Sequence, residues 1–299
     1  MRIFLTGGTG YVGSAVLDAL VRGGHRVEAL VRNSERAAQV QLHGAQPLLG
    51  DLAEPSTYAD AIAAADGVVH AATDYGARGA EIDALAVDTV LRTLGGQGAF
   101  FVYTSGIWVL GPQPQPVDES APVNPAALVA WRPAHERRVL EGAGAGIRTA
   151  VVRPGIVYGG SRGLVSDLLK NAANGLVRIV GGGDNHWPLV YDRDLGELYL
   201  RIAMAPAASG VFHANDEGDE RVNDLVDAIA RHMPTRPSVR RIPLSEAQQK
   251  LGPLADALVL DQRIRSPRAR GLGWAPSLHS VAGNIPRLME EWRRGKEAA

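Results

Sequence analysis

Cysteine is absent from this 299-residue sequence, which excludes disulfide bridges, thiolate metal sites and cysteine nucleophiles together. Net charge is nearly absent too. The 31 basic and 32 acidic residues leave −1, and that balance gives no argument for a nucleic-acid or membrane-surface partner. No apolar run reaches the ~18 residues of a membrane span. The chain enters an apolar stretch at Arg2, leaving no room for a signal peptide, so the expected location is cytoplasmic. Internal repeats and low-complexity tracts are missing. Pro112-Gln-Pro-Gln-Pro116 comes nearest and reads as a stiff exposed loop. What remains is a 45% hydrophobic chain whose length suits one large α/β domain, or a large one and a small one.

The first thirteen residues carry the strongest local pattern. Arg2 to Thr6 is a short apolar run that reads as a buried strand. Gly7, Gly10 and Gly13 follow, and Gly8-x-Gly10-x-x-Gly13 also fits the dinucleotide fingerprint. Ala15, Val16, Ala19 and Leu20 then recur at helical spacing up to a Gly23-Gly24 stop. Strand, glycine turn and helix in that order suit a pyrophosphate. Glycine permits the turn and close backbone approach, and free N–H groups at the helix start face the anion.

Arg26 to Val31 reads as a second strand ending in Arg32-Asn33-Ser34, about 20 residues beyond the turn. An acidic residue there suits the ribose 2′-hydroxyl of NAD, whereas arginine suits the 2′-phosphate of NADP. Arg32 therefore points to NADP, with Asn33 and Ser34 as further donors. Ser34 to Leu42 reads as a helix and Gln46 to Leu49 as a third strand, closed by Gly50-Asp51-Leu52. Asp51 stands where its carboxylate could accept from the adenine amino group or cap a helix. A helix over Ala59–Ala65 leads to a fourth strand, Gly67 to Thr73. There the small Ala71 and Ala72 allow close cofactor approach, and His70 reads as a packed strand residue. The loop from Asp74 to Gly79, carrying Tyr75, lies at a strand's carboxyl end, where open α/β sheets bind ligands.

A helix over Glu81–Leu94, stopped by Gly95-Gly96, precedes a fifth strand, Ala99–Thr104, and then Ser105 to Trp108. This alternation predicts a parallel, doubly wound sheet. The irregular stretch Gly111–Pro125 holds five prolines. Beyond it come a helix over Ala126–Ala143, a sixth strand over Arg148–Val152, and Arg153 to Gly159. Regularity then fades, as in a smaller lobe grafted onto the sheet. Helices read at Gly163–Ala173, Asp192–Met204, Val222–Met233, Ser245–Lys250 and Leu278–Arg293. Short strands read at Val177–Val180, Val211–Ala214 and Val239–Ile242. The expected organisation is a Rossmann domain over 1–160, with sheet-completing segments later in the chain, and a mainly substrate-binding lobe over 161–299.

These segments resemble the extended short-chain dehydrogenase/reductase family, the NAD(P)-dependent epimerase/dehydratase group. The likeness rests on Thr6–Gly13, Gly50–Leu52, His70–Ala72, Tyr103–Ser105, Arg153–Tyr158, Val190–Asp194 and Leu272–Pro276, in order along the whole chain. It implies that Gly7, Gly10, Tyr11, Val12 and Gly13 hold the pyrophosphate and that Asp51 and Leu52 lie by the adenine. Ala71, Ala72 and Thr73 would line the nicotinamide-side ribose, and Pro154, Gly155, Val157 and Tyr158 would run beside the nicotinamide. Ser105 falls where the family keeps a hydroxyl that bonds a substrate oxygen. Trp108, Tyr158, His186, Trp187 and Tyr191 are the candidate pocket wall. The family's paired helices, here about Glu81–Leu94 and Ala126–Ala143, imply a homodimer.

One departure stands out. The family's proton chemistry rests on a Tyr-x-x-x-Lys pair, spaced so that both side chains share a helix face, and this sequence contains none. Matching Glu136 to Leu140 with the family's helix puts Leu128 at the tyrosine position and Arg132 at the lysine position. Counting from Ser105 instead puts Trp131 and His135 there. The first register is preferred. In it Arg132 is a fixed cation able to bind ribose, and nothing donates a proton. Tyr75, His135, Tyr158, His186 and Tyr191 are the substitute acids on offer. The expectation is an NADP(H)-dependent oxidoreductase of a small carbonyl or hydroxyl substrate, using Ser105 and a relocated acid. A sugar-type epimerase or dehydratase and a non-catalytic dinucleotide sensor are the alternatives.

Overall fold

In the computed structural model, which describes residues 1–95 and 98–297, strand and helix alternate through the first third of the chain. The elements are β1 (Arg2–Thr6), α1 (Tyr11–Arg22), β2 (Arg26–Val31), α2 (Ser34–Leu42), β3 (Gln46–Leu49), α3 (Ala59–Ala63), β4 (Gly67–His70), α4 (Gly79–Thr93) and β5 (Phe100–Thr104). Gly96, half of an expected helix stop, lies outside the described residues. After β6 (Gln113–Val117), α5 (Arg132–Glu141) and β7 (Arg148–Pro154), the elements shorten. They run β8 (Ile156–Tyr158), α6 (Gly163–Ala173), β9 (Leu176–Val180), β10 (His186–Trp187), β11 (Leu189–Tyr191), α7 (Asp192–Met204) and β12 (Gly210–Ala214). The last are β13 (Glu220–Arg221), α8 (Val222–Arg231), β14 (Ser238–Ile242), α9 (Leu244–Leu251), α10 (Leu254–Leu258), β15 (Gln262–Ile264), α11 (Pro267–Gly271) and α12 (Ile285–Glu297).

Seven strands form one sheet in the order β12-β7-β5-β4-β1-β2-β3, with every neighbouring pair parallel. Alternate residues of each strand face opposite layers. Ile3 and Leu5 pack with α1 and α7 through Val16, Leu20, Leu198 and Ile202. Phe4, Phe101 and Tyr103 pack with α3, α4 and α5 through Ile62, Val87, Val90 and Val139. This is the doubly wound Rossmann sheet. Strand order reverses between β1 and β4, which opens a crevice at their carboxyl ends. A second core gathers α6, α8, α12 and the strands β8, β9 and β11 around Leu169, Val177, Leu225 and Trp292.

Three expectations are corrected. The proline tract is not a free loop: β6 pairs in parallel with β15, its ends tied by Gln113 N–H to Asp261 O and Arg265 N–H to Val117 O. Prolines within it remove donors, which a two-stranded edge tolerates. The helix expected over Ala126–Ala143 begins only at Arg132, after a single 3₁₀ turn at Ala127–Val129. Pro133 sits in the first turn of α5, where no backbone donor is needed. Likewise the final helix begins at Ile285 rather than Leu278. Among the described residues, no helix is long and apolar enough to cross a membrane.

Candidate dinucleotide and active site

The crevice at the β1/β4 switch point is floored by glycine for reasons of space. Gly7 has φ +77°, and a Cβ there would lie 2.6 Å from the Ala71 carbonyl and Ala72 nitrogen. A Cβ on Gly13 would overlap the Gly7 carbonyl. The Gly10 N–H donates to Gly7 O at 2.8 Å, closing the turn so that α1 starts at Tyr11. The first-turn N–H groups of Tyr11, Val12 and Gly13 have no helical acceptor and point out of the turn. The cradle fits a pyrophosphate. Tyr11's own side chain turns away, its hydroxyl donating to Gly159 O at 2.6 Å.

Where the adenosine is expected, Arg32 is exposed at the tip of β2 and makes no hydrogen bond or ion pair with the described residues. Asn33 caps α2, its carbonyl oxygen accepting from Arg36 N–H at 2.9 Å, and Ser34 opens that helix. Asp51 Oδ1 accepts from Ala53 N–H at 2.8 Å, an Asx turn rather than a helix cap. Leu52 is half-buried beside it.

Where the nicotinamide is expected, the Ala72 N–H donates to Thr6 Oγ1 at 3.3 Å, and Ala71 lies against the glycine turn. Pro154 ends β7. Gly155 lets the chain press onto Pro188, whose carbonyl a Cβ would meet at 2.5 Å. Val157 is half-buried in β8.

The catalytic candidates divide. Arg132 opens α5 and is buried, with one terminal nitrogen donating to Thr104 O (3.0 Å) and Tyr103 Oη (3.3 Å). Its other terminal nitrogen donates to Thr73 Oγ1 at 3.2 Å. The guanidinium thus bridges the ends of β4 and β5 and lies over the Trp131 ring at 4.4 Å. Ser105, which follows the Thr104 acceptor, is only 8% exposed, and its Oγ has no hydrogen-bond partner among the described residues. Leu128 lies before the helix, exposed in the 3₁₀ turn.

His135 is turned inward instead, Nδ1 lying 2.7 Å from Asp83 Oδ2. Asp83 also accepts from the Tyr103 hydroxyl at 2.8 Å and contacts His70 Nε2 at 3.3 Å. His70 Nδ1 in turn meets Thr6 Oγ1 at 2.7 Å. Burial raises the Asp83 carboxyl, but hydrogen bonds from His135 and His70 and the charge of Arg132 outweigh it and hold it well below the usual range. Burial, then Asp83, drives the Tyr103 hydroxyl well above its ordinary value. His135 Nδ1 is thus engaged by Asp83, which also accepts from the Tyr103 hydroxyl that Arg132 contacts. Tyr75 is 96% exposed, so in this structure its ring is packed against neither Ser105 nor Arg132.

Four of the five residues expected in the pocket wall hydrogen-bond within the protein. Tyr158, Trp187 and Tyr191 belong to the second core. The Tyr158 hydroxyl donates to Asp216 at 3.0 Å and that of Tyr191 to Glu291 at 2.6 Å. The Trp187 indole donates to Leu258 O at 3.0 Å. Both ring nitrogens of His186 are engaged, by Asp261 at 2.7 Å and Arg263 at 3.1 Å. Trp108 is half-buried where two hydrophobic clusters meet.

Sequence reasoning missed Asp83, Tyr103 and the buried pair of Glu136 with Arg153, whose Nε lies 3.0 Å from Glu136 Oε1. A signal existed for Asp83. It falls three, four and seven residues before Ala86, Val87 and Val90 on the apolar face of α4, where a carboxylate needs a partner.

The model of the NAD dependent epimerase/dehydratase family matches residues 3–214. The chain is 31% identical over 252 residues to the 2-alkyl-3-oxoalkanoate reductase of Stenotrophomonas maltophilia (strain K279a), covering 77% of this chain and 76% of the relative. It is 30% identical over 260 residues to the 4-hydroxy-2-methyl-3-oxo-4-farnesyl-3,4-dihydroquinoline-1-oxide ketoreductase of Stigmatella aurantiaca, covering 83% and 78%. The solved UDP-glucose 4-epimerase of Thermotoga maritima superposes with a TM-score of 0.82 at 20% identity over 98% of this chain and 99% of that one, a likeness of fold. The chain belongs to the NAD dependent epimerase/dehydratase family.

Proposed function

We propose that this protein is an NADP(H)-dependent reductase of a small ketone or related carbonyl compound. The observation that carries the reading is the Ser105 hydroxyl, buried without a partner among the described residues, one residue beyond the Thr104 carbonyl that Arg132 binds. A hydroxyl left unpaired in the protein costs about 1–3 kcal/mol, and a substrate oxygen would relieve that cost. When bound, a reduced nicotinamide supplies the hydride. Ser105 donates its O–H to the carbonyl oxygen, whose negative charge grows as the carbon–oxygen π bond opens. Arg132, always charged, stabilises that oxygen through the field at the end of β5. The alkoxide takes its proton from Ser105, which takes one from water, so no Tyr-x-x-x-Lys pair is required. Two relatives named as ketone reductases support the substrate class. Arg32, without a partner among the described residues at the tip of β2, supports NADP over NAD.

The test is calorimetric titration of the purified protein with NADPH and NADH, followed by absorbance of the reduced nicotinamide against a panel of ketones and β-keto acids. Tighter NADPH binding with ketone-dependent oxidation is the expected outcome. Tight binding without turnover on any carbonyl would sink the reductase reading and favour the epimerase or sensor alternative.

A further inference from the structure

The loop that leaves β8 lies over the glycine turn. The Tyr11 hydroxyl donates to Gly159 O at 2.6 Å, and the Arg162 guanidinium donates to Thr9 O at 3.1 Å. Gly163 packs so closely that a Cβ would lie 2.7 Å from Tyr11 Cε1. Three residues of this loop have left-handed φ: Gly159 (+117°), Gly160 (+61°) and Gly163 (+83°). Only glycine takes such angles without strain, so the chain can turn sharply back over α1 before entering α6. This path belongs to the second lobe and carries a cation to the first lobe's anion cradle.

Arg162 is exposed and forms no ion pair with the described residues. Its one bond goes to a neutral carbonyl within the turn itself. The nearby acids are already engaged. Glu291 accepts from Tyr191 at 2.6 Å and pairs with Arg287 at 3.1 Å, while Asp192 accepts from Arg193 N–H at 2.7 Å. A guanidinium presents five N–H donors in a fork that matches phosphate oxygens. Helix N–H groups alone supply only partial charge against a pyrophosphate's full negative charges.

From this geometry we infer that Arg162 is a pyrophosphate clamp, contributed by the second lobe, which closes over the dinucleotide held on the α1 turn. The inference rests on the dinucleotide reading above and adds a residue that the glycine pattern does not contain. Binding the cofactor's pyrophosphate then draws the two lobes together through Arg162.

Affinity for NADPH and for adenosine 2′-monophosphate, which has no 5′-phosphate, is measured calorimetrically for wild type, Arg162→Ala and Arg162→Lys. In Arg162→Ala, NADPH binding weakens about 10–100-fold, the loss of a charge-assisted hydrogen bond, while adenosine 2′-monophosphate binds as in wild type. Arg162→Lys falls between, since it keeps the charge and loses the fork. The fall of NADPH affinity with added salt is also shallower in Arg162→Ala than in wild type. If Arg162→Ala binds NADPH as wild type does, the clamp is overturned and the dinucleotide reading stands. If wild type binds neither NADPH nor NADH, the dinucleotide reading falls and takes the clamp with it. Equal losses for both ligands would mean a general disturbance of the site, and the clamp is again overturned.

Discussion

Ser105 separates a functional residue from a structural one by the sign of its effects. Its Oγ is buried and has no partner among the described residues, so replacing it by alanine removes an unsatisfied group and takes nothing from the fold. Ser105→Ala is expected to unfold at or slightly above the wild-type temperature and to bind NADPH unchanged. Its kcat on a ketone should fall about 10²–10³-fold, as when one oxyanion donor is removed. Thermal unfolding and steady-state kinetics on one preparation check all three. A fall in stability alongside activity would mark Ser105 as a packing residue. Gly7 behaves in the opposite way, because a Cβ there meets Ala71 and Ala72 at 2.6 Å in a left-handed backbone. Gly7→Ala should therefore lose both stability and NADPH binding, read by the same two measurements. Both residues were legible in the sequence, since a glycine turn and a hydroxyl after a strand are short, local patterns. The inward turn of His135 was not. It depends on Asp83, 52 residues away in the chain, which only the packing of α4 against α5 brings near.

Elements of the Rossmann half were legible because each strand and helix carries its own period and its own stop. Their ends were less so. The start of α5 follows from Pro133, a first-turn signal that the apolar spacing around it masked. The short strands β8, β10, β11, β13 and β15 have two or three residues each, too few to show any alternation. They exist because tertiary contacts supply their partners, and β6 among its prolines is the extreme case. Helix α5 is held to the sheet by one feature that its weak amphipathicity did not announce. Glu136 and Arg153 form a two-point ion pair, both side chains buried, with contacts of 3.0 and 2.5 Å. Removing one partner strands the other charge, at a cost of about 3–5 kcal/mol, whereas replacing both by apolar residues is often neutral. Glu136→Leu should lower the unfolding free energy by about that amount. The double variant Glu136→Leu/Arg153→Leu should recover most of it, as read by denaturant unfolding. Equal destabilisation in the single and double variants would mean that packing volume, rather than charge, anchors α5.

Across the whole molecule, two cores meet where β7 runs into β8, and buried ionisable groups collect at that junction. Burial pushes the Asp216 carboxyl up to about 7, even though it accepts from the Tyr158 hydroxyl and Gly218 N–H at 3.0 Å each. Burial likewise raises Asp192, to about 6. Burial, with Arg153 beside it, depresses His213 to about 3. The signs differ. A carboxyl with a raised folded pKa binds more protons folded than unfolded, so its contribution is complete at low pH and is lost as pH climbs through about 7. A histidine with a depressed pKa acts the other way, adding stability as pH rises through its unfolded value. The stability profile of the native protein therefore mixes opposing slopes, and one group is isolated only by difference. Asp216→Asn keeps an acceptor for Gly218 N–H and removes the titration, while His213 and Asp192 contribute equally to both proteins and cancel. The unfolding temperature of Asp216→Asn relative to wild type is expected to rise between about pH 4 and about pH 7 and to level off above, the window set by the ordinary carboxylate value and the raised one. Thermal unfolding in matched buffers across that range measures it. A difference that stays flat with pH would show that Asp216 ionises as readily in the folded chain as in the unfolded one, and the junction would then hold a buried charge that its hydrogen bonds fully offset.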